Sequence, residues 1–170
     1  IGGEVGLSAA SIGPLTVSTP LLAASSGSNL TISAVGDVAV GNVGSLSGLT
    51  AVNNITLDTP GALAVNAPVS GDQVALSGAT ININSGLNAG SLANVVGSNG
   101  DLNLNANPQG ANVLASASAN LNGPGVITSN NILLSAGNDI TSVQLAGQSA
   151  GNINLGFTAG GSSQITSANS

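Results

Sequence analysis

The sequence of 170 residues contains no lysine, arginine, histidine, cysteine, methionine, tryptophan or tyrosine, and Phe157 is its only aromatic residue. Without a basic side chain the chain cannot neutralise phosphates, so we expect neither nucleic acid nor an anionic membrane surface as a partner. Without cysteine it has no disulfide and no thiolate metal site. No apolar run approaches the ~18 residues of a membrane helix, so membrane insertion is not expected.

Charged residues make up only 4 % of the chain, and all of them are acidic, which gives a net charge of −6. Carboxylates are therefore the only ionisable side chains available for proton transfer, and we find no pair placed to share a site. We predict that the chain is not an enzyme, with no catalytic residue and no cofactor. The repeat alignment makes Asp37 equivalent to Asp139, and Asp58 equivalent to Asn84, Asn105 and Ser135. The acids are Glu4, Asp37, Asp58, Asp72, Asp101 and Asp139.

A bound ion or phosphate has little support in these residues. Tight calcium sites take six to eight oxygens, usually from several acids, and no Gly-Gly-x-Gly-x-Asp repeat or Asp-x-Asp loop occurs. Weak binding by Asp37 or Asp139 is the alternative to a solvated turn carboxylate. Ala159-Gly160-Gly161 has no lysine after it, so it does not predict a phosphate loop. We predict no metal site.

Apolar residues are abundant, at 42 % of the chain, and they alternate with polar ones. The stretch Asn29–Val40 contains two such segments, Leu30-Thr31-Ile32 and Val38-Ala39-Val40, joined by a short link with Gly36 and Asp37. Period-two alternation is typical of strands with one buried face. A disordered chain is the alternative suggested by the Gly, Ser and Asn content, but disordered chains are poor in β-branched residues.

The first half of this unit recurs, and its leading apolar residues are 21 to 30 residues apart. A repeat of this length built from strands predicts a solenoid with turns of variable length. The leading residues are Leu30, Ile55, Ile81, Leu102, Ile132 and Ile153. The predicted inward positions are Leu30, Ile32, Val38, Val40, Ile55, Leu57, Leu63, Val65, Val74, Leu76, Ile81, Ile83, Leu102, Leu104, Ile132, Leu134, Val143, Leu145, Ile153 and Leu155.

Polar residues fall at two recurring places in this repeat. Residues just before a strand are predicted to stack in one column, in which Asn side chains either hydrogen-bond from turn to turn or simply favour the corner conformation. Residues between the inward positions form an outward polar face that is broken by Leu133. The column comprises Asn29, Asn54, Asp101, Asn131 and Asn152. The outward face comprises Thr16, Thr31, Thr56, Asn82, Asn103 and Asn154.

We therefore predict an all-β fold, a parallel β-helix or β-solenoid of about six coils. Residues 1–28 are predicted to be an N-terminal cap, a partial first coil or a docking segment. Residues 29–155 are assigned to the solenoid repeats, and residues 156–170 to a C-terminal coil or tail. The chain begins at Ile1 and shows no signal peptide, so secretion is inferred from composition alone.

The phrase Asn-Ile/Leu-x-Ile/Leu-Ser-Ala, followed by Gly and then Asp-Val or Asp-Ile, is clearest at 29–38 and 131–140. It resembles the repeats of filamentous-haemagglutinin-type adhesins of the two-partner secretion pathway. The resemblance implies a right-handed parallel β-helix that extends from a bacterial surface. The Asn-Pro-Asn-Gly signature of the secretion domain in such adhesins is absent, and Asn107-Pro108-Gln109-Gly110 is interpreted as a turn.

These observations predict a secreted, cell-surface structural protein. The expected role is a building block of an extracellular fibre or adhesin stalk. Because almost no charge guards the open ends of the solenoid, we expect either that neighbouring domains continue it or that identical subunits assemble head to tail, by end stacking or strand exchange. Host or matrix glycans are possible further partners. The alternative is an ice- or glycan-binding module that uses the flat Thr/Asn face beginning with Thr16, Thr31 and Thr56.

Overall fold

The computed structural model describes residues 3–147 and 154–167. Over these residues the chain forms strands and turns without a helix, and no helix could therefore cross a membrane. The strands are β1 (Glu4–Ala9), β2 (Ile12–Val17), β3 (Leu21–Ser26), β4 (Leu30–Ala34), β5 (Val38–Val40), β6 (Asn42–Val43), β7 (Leu46–Ser47), β8 (Leu49–Ala51), β9 (Asn54–Asp58), β10 (Leu63–Val65), β11 (Val69–Gly78), β12 (Ile81–Ile83), β13 (Leu87–Gly97), β14 (Leu102–Leu104), β15 (Pro108–Gln109), β16 (Asn112–Ala117), β17 (Leu121–Asn122), β18 (Val126–Thr128), β19 (Asn131–Ala136), β20 (Ile140–Ala146), β21 (Asn154–Ala159) and β22 (Ser163–Ser167).

All of these strands except β6 and β7 join one parallel sheet that coils around a single core. Each turn has three faces. Face A contains β2, β4, β9, the second halves of β11 and β13, β16, β19 and β21. Face B contains β5, β10, β12, β14, β17 and the start of β20. Face C contains β8, the first halves of β11 and β13, β15, β18 and the end of β20, while β1, β3 and β22 run along both B and C. The predicted parallel β-solenoid is confirmed.

The turns are shorter and more numerous than the sequence repeat indicated. Stacked neighbours are 25 residues apart between Asn29 and Asn54, but only 18 apart between Asn66 and Asn84. Among the described residues, face A is crossed by eight strands, which gives about eight turns rather than six.

The predicted equivalence of the leading apolar residues is wrong for two of them. Ile81 stacks on Leu63 and Leu102 in face B, whereas Leu30, Ile55 and Ile132 lie in face A. The confusion has a physical cause. Faces A and B both need an apolar-x-apolar strand, so the pattern reports that a residue points inward but not which wall it belongs to. On face A the intervening positions are filled by Val74, Ala93 and Val113, which lack the Asn-Ile phrase.

The interior consists almost entirely of aliphatic side chains. Every predicted inward position up to Leu145 is buried, with at most 5 % of its surface exposed. Ile153 lies outside the described residues. Leu155 differs, since it is 38 % exposed on the last face-A strand and stacks on Ile132, two residues out of the predicted alignment. A shift of two residues keeps the inward and outward alternation, and it places Phe157 over Leu134.

Hydroxyl groups close the corners where the backbone leaves the ladder. Thr59 Oγ1 donates a hydrogen bond to the carbonyl of Gly36 in the preceding turn. Ser129 Oγ donates to the carbonyl of Ala111 at 2.9 Å. Both side chains are buried, and no buried side-chain nitrogen or oxygen of the described residues lacks a partner. These bonds join the corner to the preceding turn and give each buried hydroxyl an acceptor.

One turn carries an excursion that the sequence analysis did not identify. Strands β6 and β7 form an antiparallel hairpin in which Val43 pairs with Leu46. The two-residue loop has Gly44 at φ +58° in its first central position, the arrangement of a type II′ turn. The hairpin is closed at its base by a 2.8 Å bond from the Gly48 N–H to the Gly41 carbonyl. It leaves the solenoid between faces B and C and lies outside the wall.

Candidate functional site

The most regular chemical feature of the molecule is a set of amide columns on the outside of face B. Asn103 Nδ2 donates to Asn82 Oδ1 at 2.8 Å, and Asn122 Nδ2 donates to Asn103 Oδ1 at 3.1 Å. Thr141 continues this column by donating to Asn122. These residues alternate with the buried positions of β12, β14 and β17, so they point outward.

A second column runs beside the first at the end of the same strands. Asn84 Nδ2 donates to Asn66 Oδ1 at 2.9 Å, and Asn105 Nδ2 donates to Asn84 Oδ1 at 2.8 Å. Each inner amide thus uses one donor and one acceptor along the column. A primary amide has two N–H groups and two lone pairs, so each retains hydrogen-bonding capacity toward solvent. From β12 onward the outer side of face B is therefore polar but uncharged, whereas β5 and β10 present Ala39 and Ala64 there.

The predicted column at the start of face A exists, but with different members. Asn131 Nδ2 donates to Asn112 Oδ1 at 3.1 Å, and Asn154 Nδ2 donates to Asn131 Oδ1 at 2.9 Å, so side-chain hydrogen bonding does occur there. Gln73 and Leu92 occupy the intervening turns between Asn54 and Asn112. Asn152 lies outside the described residues, and Asp101 does not belong to this column.

Asp101 lies instead at the corner that precedes face B, in the column of Asp37 and Asp139. Asp37 Oδ1 accepts a 2.8 Å bond from the Ala62 N–H, and Asp139 Oδ1 accepts a 2.7 Å bond from the Ser162 N–H. Asp101 Oδ1 likewise accepts from the Asn120 N–H at 3.0 Å. The predicted equivalence of Asp37 and Asp139 is confirmed. Each carboxylate caps a backbone N–H of the next turn.

The remaining acids are also bonded to the adjacent turn or lie alone. Asp58 accepts from the Ser77 hydroxyl, and Asp72 Oδ2 accepts from the Ser91 hydroxyl at 3.2 Å. Glu4 lies in the first strand, β1. Over residues 3–147 and 154–167, no group of three or more acidic side chains is arranged to hold a metal ion.

The predicted partners of Asp58 are only partly right. Ser135 does share its column on face A, through Ser77, Val96 and Ser116. Asn84 and Asn105 belong to a different column at the end of face B.

The expected threonine row is interrupted. Thr31 stacks on Thr56, but Thr16 stacks on Ser33 rather than on Thr31, and the position after Thr56 is Ala75. Asn82 and Asn103, which were expected to extend the row, lie on face B. The outer side of face A therefore has two stacked threonines and no continuous flat Thr/Asn array.

Two surface depressions among the described residues have few polar or ionisable side chains in their linings. One of about 360 Å³ lies at the N-terminal end of the solenoid, where its lining includes Leu7, Ile12 and Leu15 but no ionisable group. Another of about 210 Å³ lies on the outer wall beside Pro20 and Asp37. Its only titratable side chain already accepts the Ala62 N–H.

Comparison with known proteins gives no match: no protein-family model, no curated protein and no solved structure matches the chain.

Proposed function

We propose that the chain is a non-catalytic structural building block of an extracellular fibre or adhesin stalk. The observation that carries this proposal is the continuity of the ladder. Backbone pairing runs in register through the seven face-A strands from β4 to β21, and β2 joins them with one irregularity between Ile12 and Leu15. Side-chain amides repeat this pairing on part of the outer wall of face B. Eight turns stacked at ~4.8 Å each extend over about 40 Å along the axis of the solenoid.

The resemblance to filamentous-haemagglutinin-type repeats supports a surface stalk. The two clearest copies of the phrase occupy equivalent places, since β4 and β19 both lie in face A and Asp37 and Asp139 share one corner column. We infer from this that the phrase marks one structural turn. A cell-surface location and secretion are part of the proposal, and so is a role without catalysis.

Assembly of identical subunits head to tail, by end stacking or strand exchange, is the second part of the proposal. The last described strand of face A, β21, carries two exposed apolar side chains, since Leu155 and Phe157 are 38 % and 52 % exposed. Contact with a second copy at this end would cover them.

Electron microscopy of the purified chain at micromolar concentration tests this function. We expect unbranched fibres whose diffraction shows a ~4.8 Å spacing along the fibre axis. The Phe157→Ser variant is expected to form fewer or shorter fibres, and Val52→Ser serves as a control because Val52 is exposed within the solenoid, away from its ends. Monomers that stay stable over days would overturn self-assembly, but the proposed role as a stalk segment would stand. Absence of an elongated particle would overturn both.

A further inference from the structure

The hairpin of β6 and β7 covers a specific part of the outer wall. Leu22 and Ala24 of β3 point into the core, so Ala23 between them points outward, yet Ala23 has no exposed surface. Both hairpin strands lie against β3, and β6 also reaches β1. The hairpin therefore buries an outward position that on other strands is solvated.

The contact extends to the first strand of the solenoid. Gly6 of β1 stacks on Ala23, so it also faces outward. A β-carbon built on Gly6 would lie 3.2 Å from Val43 Cγ1 and 3.3 Å from Leu46 Cδ1. The absence of a side chain at Gly6 thus lets the two apolar residues of the hairpin lie directly on the backbone of β1.

This contact skips a turn. The hairpin starts from the turn of β5 and β8, crosses β3 in the preceding turn, and reaches β1 in the turn before that. In a solenoid each turn otherwise contacts only its neighbours, and within the described residues β1 is hydrogen-bonded to one strand, β3. A strand held on one side only opens readily. The hairpin gives β1 a second attachment.

We propose that the hairpin is a strap that holds β1 in the solenoid and closes this end to strand exchange. The effect of the strap on assembly rests on the proposed function. A β1 strand that is held in place restricts strand exchange between copies to the other end of the solenoid. The attachment itself depends only on Val43 and Leu46 packing on Gly6. If the hairpin were a surface loop without this role, removing these contacts would leave the hydrogen exchange of the β1 amides unchanged.

Hydrogen exchange followed by peptic digestion and mass spectrometry tests the strap. In the double variant Val43→Ser and Leu46→Ser, we expect amides of Glu4–Ala9 to exchange about tenfold faster, because the apolar contacts that hold β1 against the hairpin are lost. Amides of Asn131–Ala136, at the far end, serve as the internal reference and are expected to keep their rates. Unchanged protection of Glu4–Ala9 would overturn the proposal.

A second variant alters the same contact on the β1 side. Gly6→Val inserts a side chain under Val43 and Leu46 and is expected to raise exchange in both β1 and the hairpin. Gly13→Val is the matched control, because nothing lies within 4 Å of a β-carbon there. Equal effects of the two glycine variants would contradict the strap. If the amides of β1 exchange faster in the variants, but neither the variants nor the unchanged protein forms fibres, the result supports the strap and counts against filament assembly. The two proposals therefore fail separately.

Discussion

Asp37 and Ala62 are joined across one turn by a 2.8 Å hydrogen bond from the Ala62 N–H to Asp37 Oδ1. The pairs Asp139 with Ser162 and Asp101 with Asn120 repeat the same relationship in the same corner column. Three of the six acids in this chain are therefore explained as caps for backbone groups at a corner. Each backbone N–H is capped by a single carboxylate.

Removing the acceptor at Asp37 should destabilise the protein, whereas removing only its charge should not. We expect Asp37→Ala to lower the free energy of unfolding by about 1–2 kcal/mol, because the Ala62 N–H loses its partner. Asp37→Asn keeps an acceptor oxygen, and we expect a change within about 0.5 kcal/mol. Urea denaturation followed by circular dichroism measures both, and equal losses in the two variants would show that charge, not the cap, matters.

The space above Asp37 provides a separate test. A β-carbon on Gly61 would clash with Asp37 Oδ1 and would lie 2.6 Å from the Asp37 backbone nitrogen. We expect Gly61→Ala to lower the thermal midpoint by several degrees, since a clash with backbone cannot be relieved by a rotamer change. Gly36→Ala is the control, because that position is open. Differential scanning calorimetry should separate the two variants.

Burial of the aliphatic core makes a third prediction. Ile81 is fully buried between Leu63 and Leu102, and Ile81→Ala should cost about 2–5 kcal/mol. Leu133 is 50 % exposed on face A, so Leu133→Ala should cost less than about 0.5 kcal/mol. Denaturation midpoints that fall equally would mean that Ile81 does not face the interior.

The amide columns make a fourth prediction. Asn103 both donates to Asn82 and accepts from Asn122, so Asn103→Ala breaks two hydrogen bonds. We expect the free energy of unfolding to fall by about 1–3 kcal/mol, at roughly 0.5–1.5 kcal/mol for each of the two bonds. Asn99, which is exposed in a turn, provides the matched Asn→Ala control. If both substitutions are equally tolerated in urea titrations, the columns do not stabilise the rod.

The inward positions could be predicted from the sequence because alternation of apolar and polar residues is a direct consequence of strand geometry. The wall to which a strand belongs could not. Leu63 and Ile81 pair with each other in face B, yet Ile81 carries the same local pattern as Ile55 in face A. Only the count of residues around a full turn distinguishes them, and that count varies with the corners.

The hairpin could have been found from a local signal. Val43 and Leu46 flank Gly44-Ser45, and two apolar residues around a two-residue loop with glycine first are typical of a type II′ hairpin. The signal was hidden because the surrounding glycines and serines resemble an ordinary solenoid corner. Its contact with Gly6 could not be predicted, because that contact depends on how two separate turns stack.

Cysteine pairs test the stacking of the turns most directly, since the chain has no cysteine of its own. Thr56 is stacked on Ala75 in face A, while Asn82 lies in face B. Stacked residues ~4.8 Å apart fall within the Cα separation of about 4.4–6.8 Å that a disulfide needs. We predict that monomers carrying Thr56→Cys with Ala75→Cys form the disulfide on mild oxidation, and that Thr56→Cys with Asn82→Cys does not. The opposite result would contradict the three-faced solenoid.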